Sequence, residues 1–493
     1  MPERRISKTQ FMMGRQCLKR LWLNAFRKDL VPPLPKDQAR RFEEGHAVDV
    51  LAREYFKGGK LAEAGPGGAA RALERTAALM RAGADTIYEG AFSSGTLLVR
   101  CDILKRNAGG TWDLIEVKSS TGAKDEHFPD AAVQAYALEG AGVRLGKVRL
   151  MHVNGSFVKK GAIDPEKFFT LLDITGETRE LRTETVRDLG LFLDTLGSGR
   201  APDIPIGRHC SEPYDCEFRG HCWAGLPEFS IYDIPRLGWE KKDALKAMGI
   251  LRFRDVPDDF DLNPAQRLSL SVEKSGRPAV DRAAIREFLR GLEYPLFHLD
   301  FETIMPAIPL YDGSRPYQQV PFQASLHVQS SPGDAPRHLE YLGDAAADPR
   351  PGLIRFLLEN IGPRGSLLAY NAAFETARIK ELAGDFPGQA AGLLALTGRM
   401  RDLMAPFRSQ AYVHPEFKGR VSLKRVLPAM VPGMTYKGMP IADGSAAQLA
   451  YLDLLSGKLP AAEAEKIREN LKRYCGQDTL AMVKVLERLY GLA

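Results

Sequence analysis

Two short stretches of this chain put carboxylates where carboxylates are expensive. Asp102 lies in the apolar run Thr96-Leu-Leu-Val-Arg-Cys-Asp-Ile-Leu104, and Glu116 in Trp112-Asp-Leu-Ile-Glu-Val-Lys118. Both runs read as strands, with Asn107-Ala-Gly-Gly110 as the hairpin turn between them. Side-chain alternation puts Glu116 and Lys118 on one face. An unpaired carboxylate in an apolar strand is costly, so a partner cation is expected. Two hard oxygens suit Mg2+ or Mn2+, while the ammonium of Lys118 orients a water or steadies a charged phosphate; that is the chemistry of phosphodiester hydrolysis. An acidic residue followed by Glu-x-Lys is also common on solvated strands.

A second acidic set lies far along the chain. Asp300 and Glu302 stand two apart in Tyr294-Pro-Leu-Phe-His-Leu-Asp-Phe-Glu-Thr303, which reads as a central strand, so both face one way and invite a counter-cation. The buried strand Leu367-Leu-Ala-Tyr-Asn371 runs into Asn371-Ala-Ala-Phe-Glu375 at a helix start, and Tyr474 and Asp478, four apart, share one face of a late helix. Asp402 is an alternative ligand, better suited to a later strand. Cys475 is expected to be core.

Cysteine supplies the third signal. Six occur in 493 residues, and three of them fall in Cys210-Ser-Glu-Pro-Tyr-Asp-Cys216-Glu-Phe-Arg-Gly-His-Cys222; a fourth, Cys17, sits in the opening helix-like segment Ser7 to Trp22. Gathered at one site, four thiolates would pin that first helix against the segment near residue 220. Zinc suits four cysteines, but zinc ribbons pair ligands two to four residues apart, and the wider spacing here favours an iron–sulfur cluster. Nothing at the start of the chain looks secretory, which argues against a disulfide framework.

The elements that would hold these groups can be read in outline. Helices are expected near 38–56, 69–82 and 130–141, strands at 86–92, 96–104, 112–118 and 148–153, then short helices and glycine turns from about 225 to 292. A new α/β unit follows, with strands near 294–303, 320–328 and 367–371 and a helix near 352–360. This predicts three parts: 1–225, 226–291 and 292–493. A length of 493 residues with 44% hydrophobic, 26% charged and 9% aromatic content fits a globular chain of several domains. No apolar run reaches the length of a membrane helix, and a cytoplasmic location is expected. A net charge of +6 permits nucleic acid as partner without requiring it.

Taken in order, Asp102, Glu116-Val-Lys118 and Gln134-Ala-Tyr136, enclosed by Cys17 and by Cys210, Cys216 and Cys222, resemble the PD-(D/E)xK nucleases of the RecB-like, iron–sulfur-bearing branch, which includes the CRISPR-associated exonucleases and the AddB nuclease domain. The resemblance implies a restriction-endonuclease-like mixed sheet with helices, Asp102 and Glu116 as metal ligands, Lys118 as the catalytic lysine, Gln134 assisting, and a 4Fe-4S cluster on the four cysteines. It departs from the pattern at Asp49, where a histidine is usual, with His46 nearby, and at Leu138, where tyrosine is usual and Tyr136 is offered instead. The middle segment resembles a helix-hairpin-helix element and reads equally as a helical linker. The last part resembles the DEDDy branch of the RNase H-like 3′–5′ exonucleases. That implies Asp300, Glu302, Glu375 and Asp478 as ligands of two metal ions and Tyr474 as the residue orienting the attacking water. Here Glu375 replaces the usual aspartate. The fusion resembles a bacterial family joining the two nucleases.

The expected function is therefore a metal-dependent nuclease with two sites, acting on DNA in preference to RNA, with protein partners in DNA repair or phage defence. The alternatives are a single-site exonuclease on RNA or DNA whose other half is a clamp, and a non-catalytic iron–sulfur module that binds nucleic acid. Strand polarity and oligomeric state are left open.

Overall fold

The computed structural model describes residues 5–62 and 68–493 and is an α/β protein with mixed sheets. The chain divides into two compact units: residues 1–225 with 306–317, and residues 226–305 with 318–493. The expected middle part, 226–291, belongs to the second unit rather than standing apart, and residues 306–317 leave that unit for the first.

In the first unit, a seven-stranded sheet is formed among the described residues. Its main path runs through Lys60–Leu61, Thr86–Ser94, Leu97–Arg106, Trp112–Lys118, Leu145–Val153 and Phe169–Asp173, with Ile6–Ser7 pairing off the path. Strands Thr86–Ser94, Leu97–Arg106 and Trp112–Lys118 are antiparallel neighbours. Trp112–Lys118 then pairs in parallel with Leu145–Val153, the crossover being helix His127–Gly140. Both faces are covered, which is why Trp112–Lys118 is buried at nearly every position instead of alternating. One face packs Ile87, Leu104, Leu114 and Leu150 against Ala131, Val133 and Phe192. The other packs Tyr88, Ile103, Ile115 and Met151 against Val48 and Ala52 of helix Lys36–Tyr55, and against Ala307 and Ile308.

The opening segment is not one helix. Lys8–Gln16 ends and Leu18–Phe26 begins at Cys17, whose backbone is extended (φ −165°, ψ 122°). Gly14 explains how closely the first of these helices approaches: a Cβ there would lie 2.9 Å from the Phe192 ring.

The second unit is built on a five-stranded sheet in the order Arg337–Leu342, Val320–Gln329, Leu296–Ile304, Leu367–Ala369, Met400–Asp402. The first three strands are antiparallel and the last two run parallel to Leu296–Ile304. Along that central strand Phe297, Leu299 and Phe301 enter the core beneath helices Arg350–Asn360 and Ala373–Asp385. Asp300 and Glu302 occupy the alternate positions, on the face crossed by the long helix Ala461–Leu492, from which Cys475 meets Asp300. Thr479 of the same helix hydrogen-bonds Ser325, the residue in register with Asp300. Arg350, fully buried, is bound by Asp348 and by Asp385, so it fastens the far end of the helix that carries Glu375. In the middle segment, helix Trp239–Ala247 closes on Gly249 in the left-handed region (φ +74°), and Pro264–Ser275 follows with a capping box from Asn263 and Gln266.

Candidate functional site

The first site forms where a β-ladder opens. Strands Leu97–Arg106 and Trp112–Lys118 pair from Arg106↔Trp112 to Ile103↔Ile115. The next step in register would set Asp102 opposite Glu116, and there the Asp102 carboxylate accepts the Val117 N–H at 2.7 Å instead. On the other side of Asp102 the ladder also skips a step between Tyr88↔Ile103 and Gly90↔Cys101, where Glu89 adopts a left-handed conformation (φ +56°). Glu116 Oε1 accepts from Lys118 at 2.7 Å and from Lys8 at 2.8 Å, and its Oε2 accepts from Gln134 Nε2 at 2.7 Å. Lys118 also binds Asp130, one turn before Gln134 on the same helix. The structure thus brings Asp102, Glu116, Lys118 and Gln134 together.

The electrostatics of these carboxylates diverge. Burial opposes the charge on Glu116, but Lys118 and Lys8 together outweigh it and hold its carboxyl well below the usual range. Asp102 is pushed well above its ordinary value by burial and then by Glu116. Asp49, the position where the resemblance expects histidine, is pushed up to about 7 by burial and by Glu89 and Glu116, so it belongs to this acidic group. Tyr136 does not: its ring lies under Arg182. Lys8, Asp130 and Glu89 are missed by the sequence reading. Asp130 carries a usable signal, its four-residue spacing from Gln134 on one helix face; Lys8 carries none.

The second site lies on the central strand of the second unit. Asp300, Glu302, Tyr474 and Asp478 line one cleft with Tyr370, Phe374 and Gly444. Burial and mutual repulsion push Asp300 well above the carboxylate range, with Asp478, Glu302 and Glu375 all contributing. Glu302 is pushed up to about 8 by burial and then Asp478, Glu375 to about 8 chiefly by burial, and Asp478 to about 6 by burial. The Tyr436 hydroxyl donates to Asp478 Oδ1 at 2.5 Å, and Tyr474 bonds the same carboxylate. Lys424 is the nearby cation, 5.1 Å from the Tyr474 ring centroid and 5.5 Å from that of Tyr436. Glu375 Oε2 is buried and has no hydrogen-bond partner among the described residues.

Two expectations change here. Cys475 is not simply core: its Sγ lies 3.6 Å from Asp300 Oδ2, because position 475 shares the helix face of Asp478 one turn on. Asp402 is no free ligand: it accepts the Asn371 and Met404 N–H groups and pairs with Arg408, serving as a turn cap that leaves only its charge to act on Glu375.

The four cysteines come together. Cys17, Cys210, Cys216 and Cys222 line one pocket with Leu23, Ile206 and Phe218, none of them in a disulfide. Cys216 N–H donates to the Cys210 carbonyl at 3.0 Å, and Gln16, beside Cys17, donates to the His209 and Tyr214 carbonyls. Burial pushes the Cys216 thiol up to about 11 and raises Cys17 and Cys222 as well.

Residues 297–422 match a family described as Domain of unknown function (DUF2779), a span that includes Asp300, Glu302 and Glu375. The chain is similar to the Uncharacterized protein UU173 of Ureaplasma parvum serovar 3, 26% identical over 243 residues covering 45% of this chain and 35% of that protein. It is similar also to the Uncharacterized protein MG366 of Mycoplasma genitalium, 26% identical over 207 residues covering 38% and 31%. The matched region spans about a third of the length of these curated relatives. A solved structure, the crystal structure of SSO0001, aligns with a TM-score of 0.26 and 16% identity, covering 46% of this chain and 89% of that one. No helix among the described residues is long and apolar enough to cross a membrane.

Proposed function

We propose that this chain is a cytoplasmic, metal-dependent nuclease with two phosphodiester-hydrolysing sites, one RecB-like and one of the RNase H-like DEDDy type, acting on DNA in preference to RNA. The observation that carries the reading is the second site. Asp300, Glu302, Glu375 and Asp478 are driven toward the protonated form by burial, with repulsion from the neighbouring carboxylates added at Asp300 and Glu302, and one carboxylate oxygen of Glu375 is left with no hydrogen-bond partner. Four such groups fit divalent cations, which when bound polarise a phosphate and ready a water for attack. Tyr436 and Tyr474 hydrogen-bond Asp478, and Tyr474 would orient that water. In the first unit Asp102 and Glu116 would hold the cation, Gln134 and Lys8 fix the Glu116 carboxylate, and Lys118 would meet the phosphate. The four thiols, drawn from two distant parts of the chain into one pocket, would hold a structural 4Fe-4S cluster.

The test is degradation of labelled single-stranded DNA and RNA with Mg2+ or Mn2+ by the wild type, Asp102→Ala, Asp300→Ala and the double variant. Each single change is expected to remove part of the activity and the double change all of it. Activity that survives the double change refutes the proposal. One observation favours a second reading with a single active centre: Glu116 already has two lysines, whereas the second site has a carboxylate oxygen without a partner. On that reading Asp300→Ala alone abolishes degradation and Asp102→Ala leaves it intact.

A further inference from the structure

We infer that Cys475 is a third protein ligand beside Asp300 and Glu302, so that this position takes a borderline-soft divalent ion of the Zn2+, Co2+ or Fe2+ class ahead of Mg2+. The inference rests on the reading that the second site binds cations, and it names the kind of cation.

Its first support is geometric. One potential ligand atom each from Asp300, Glu302 and Cys475 lie within 4.8 Å of one another, the one such grouping of three among the described residues. The thiol is fully buried and its Sγ sits 3.6 Å from Asp300 Oδ2 and 3.9 Å from the Asp300 carbonyl oxygen. Those are contacts of a sulfur turned toward the carboxylates and not into the apolar core.

The second support comes from a different residue. Glu375 is 2% exposed, and its Oε2 has no hydrogen-bond partner. Its charge is felt by both Asp300 and Glu302. A buried oxygen without a partner, close enough for its charge to act on two buried carboxylates, is a lone pair that a cation would answer.

Chemistry then selects the ion. Mg2+ prefers oxygen ligands and keeps its waters, while a thiolate favours zinc and its softer neighbours. On binding, a metal–sulfur bond forms, the S–H bond breaks heterolytically, and the thiol proton leaves to solvent with no change in oxidation state. Helix Ala461–Leu492 carries Tyr474, Cys475 and Asp478, so one rigid element delivers both a sulfur and a carboxylate to the site.

The experiment is to soak crystals of the full chain with Cd2+, a thiophilic probe, and to titrate Cd2+ and Mg2+ into the wild type and Cys475→Ser by calorimetry. The four-cysteine pocket contributes equally to both proteins, and the anomalous map separates it from this site. The expected result is a Cd2+ peak bonded to Cys475 Sγ and to Asp300 or Glu302. In Cys475→Ser the Cd2+ affinity of this site should drop at least about tenfold, the low end of what losing a supporting group costs a metal site, with Mg2+ affinity unchanged. A Cd2+ ion on the carboxylates but out of bonding reach of Sγ, or equal Cd2+ affinity in the two proteins, overturns the inference. The wild-type map needs no variant, so a misfolded Cys475→Ser does not decide the matter. A wild type that binds Cd2+ through Sγ yet degrades no nucleic acid with any cation upholds this inference and refutes the nuclease reading.

Discussion

Lys8 and Lys118 converge on one oxygen: the Oε1 atom of Glu116 accepts from the first at 2.8 Å and from the second at 2.7 Å. The two lysines come from opposite ends of the first unit's logic, Lys118 from the strand that bears Glu116 and Lys8 from the opening helix, more than a hundred residues away. The carboxylate is almost fully buried. Its charge is therefore tolerated only while both ammonium groups stay in place.

Removing one of them should be costly. Lys8→Met is expected to destabilise the first unit by about 1–3 kcal/mol, the range for a hydrogen bond to a charged group left unmade. Urea unfolding checks this, and an unchanged midpoint would show that Lys118 alone suffices.

The second site predicts a pH dependence. Glu302 and Glu375 titrate near 8 in the folded chain against 4.5 ordinarily, and Asp478 near 6 against 3.8. Between those limits the folded chain binds more protons than the unfolded chain, so the contribution of these groups is full below about pH 4 and is lost as pH rises toward 8. Without divalent cations, thermal stability of the second unit should decline from pH 5 to pH 8. Glu302→Gln with Glu375→Gln should flatten that decline, and added Mn2+ should raise the midpoint more at pH 8 than at pH 5. A decline of equal slope in the double variant would exclude these two side chains as its source.

Cys17 links two helices to the segment near residue 220 and should behave as a fastener. If the four thiols hold the proposed cluster, Cys17→Ser is expected to lower bound iron and sulfide together and to loosen residues 204–223, seen as faster amide exchange there. Stoichiometric zinc with no sulfide in the wild type would replace the cluster by a single ion.

Arg350 carries a purely structural prediction. It is 2% exposed and bound by Asp348 and Asp385, so Arg350→Met should cost the second unit about 3–5 kcal/mol by taking the guanidinium away from the buried Asp385 carboxylate. Chemical denaturation followed by a probe in the second unit measures it.

What could be read from the chain beforehand was set by local signals. Strand Trp112–Lys118 is found at the residues its apolar run marks out, and Leu296–Ile304 and Val320–Gln329 lie within two residues of expectation, because a buried strand announces itself in composition. Asp102, Glu116 and Lys118 were visible for the same reason: charge inside such a run is anomalous. The break at Cys17, where the backbone is extended, is not visible, since nothing in Arg-Gln-Cys-Leu-Lys interrupts helical periodicity. Lys8, Tyr436 and Lys424 reach their sites only through tertiary structure, and no spacing relates them to the carboxylates they serve. Cys475 is buried as expected, but its contact with Asp300 is not legible, because a lone cysteine in a helix resembles a small apolar residue until its neighbour across the fold is known.

The excursion of residues 306–317 has a consequence for anyone dividing this gene. Ala307 and Ile308 complete a core in the first unit, Asp312 pairs with Lys159, and the Tyr317 hydroxyl donates to the Ser119 carbonyl next to Lys118. A fragment stopping at residue 225 would lack pieces of its own interior, and one starting at 226 would carry an apolar tether with nowhere to dock. Neither half can be moved intact by a single cut, so swapping one unit between relatives demands two grafts instead of one.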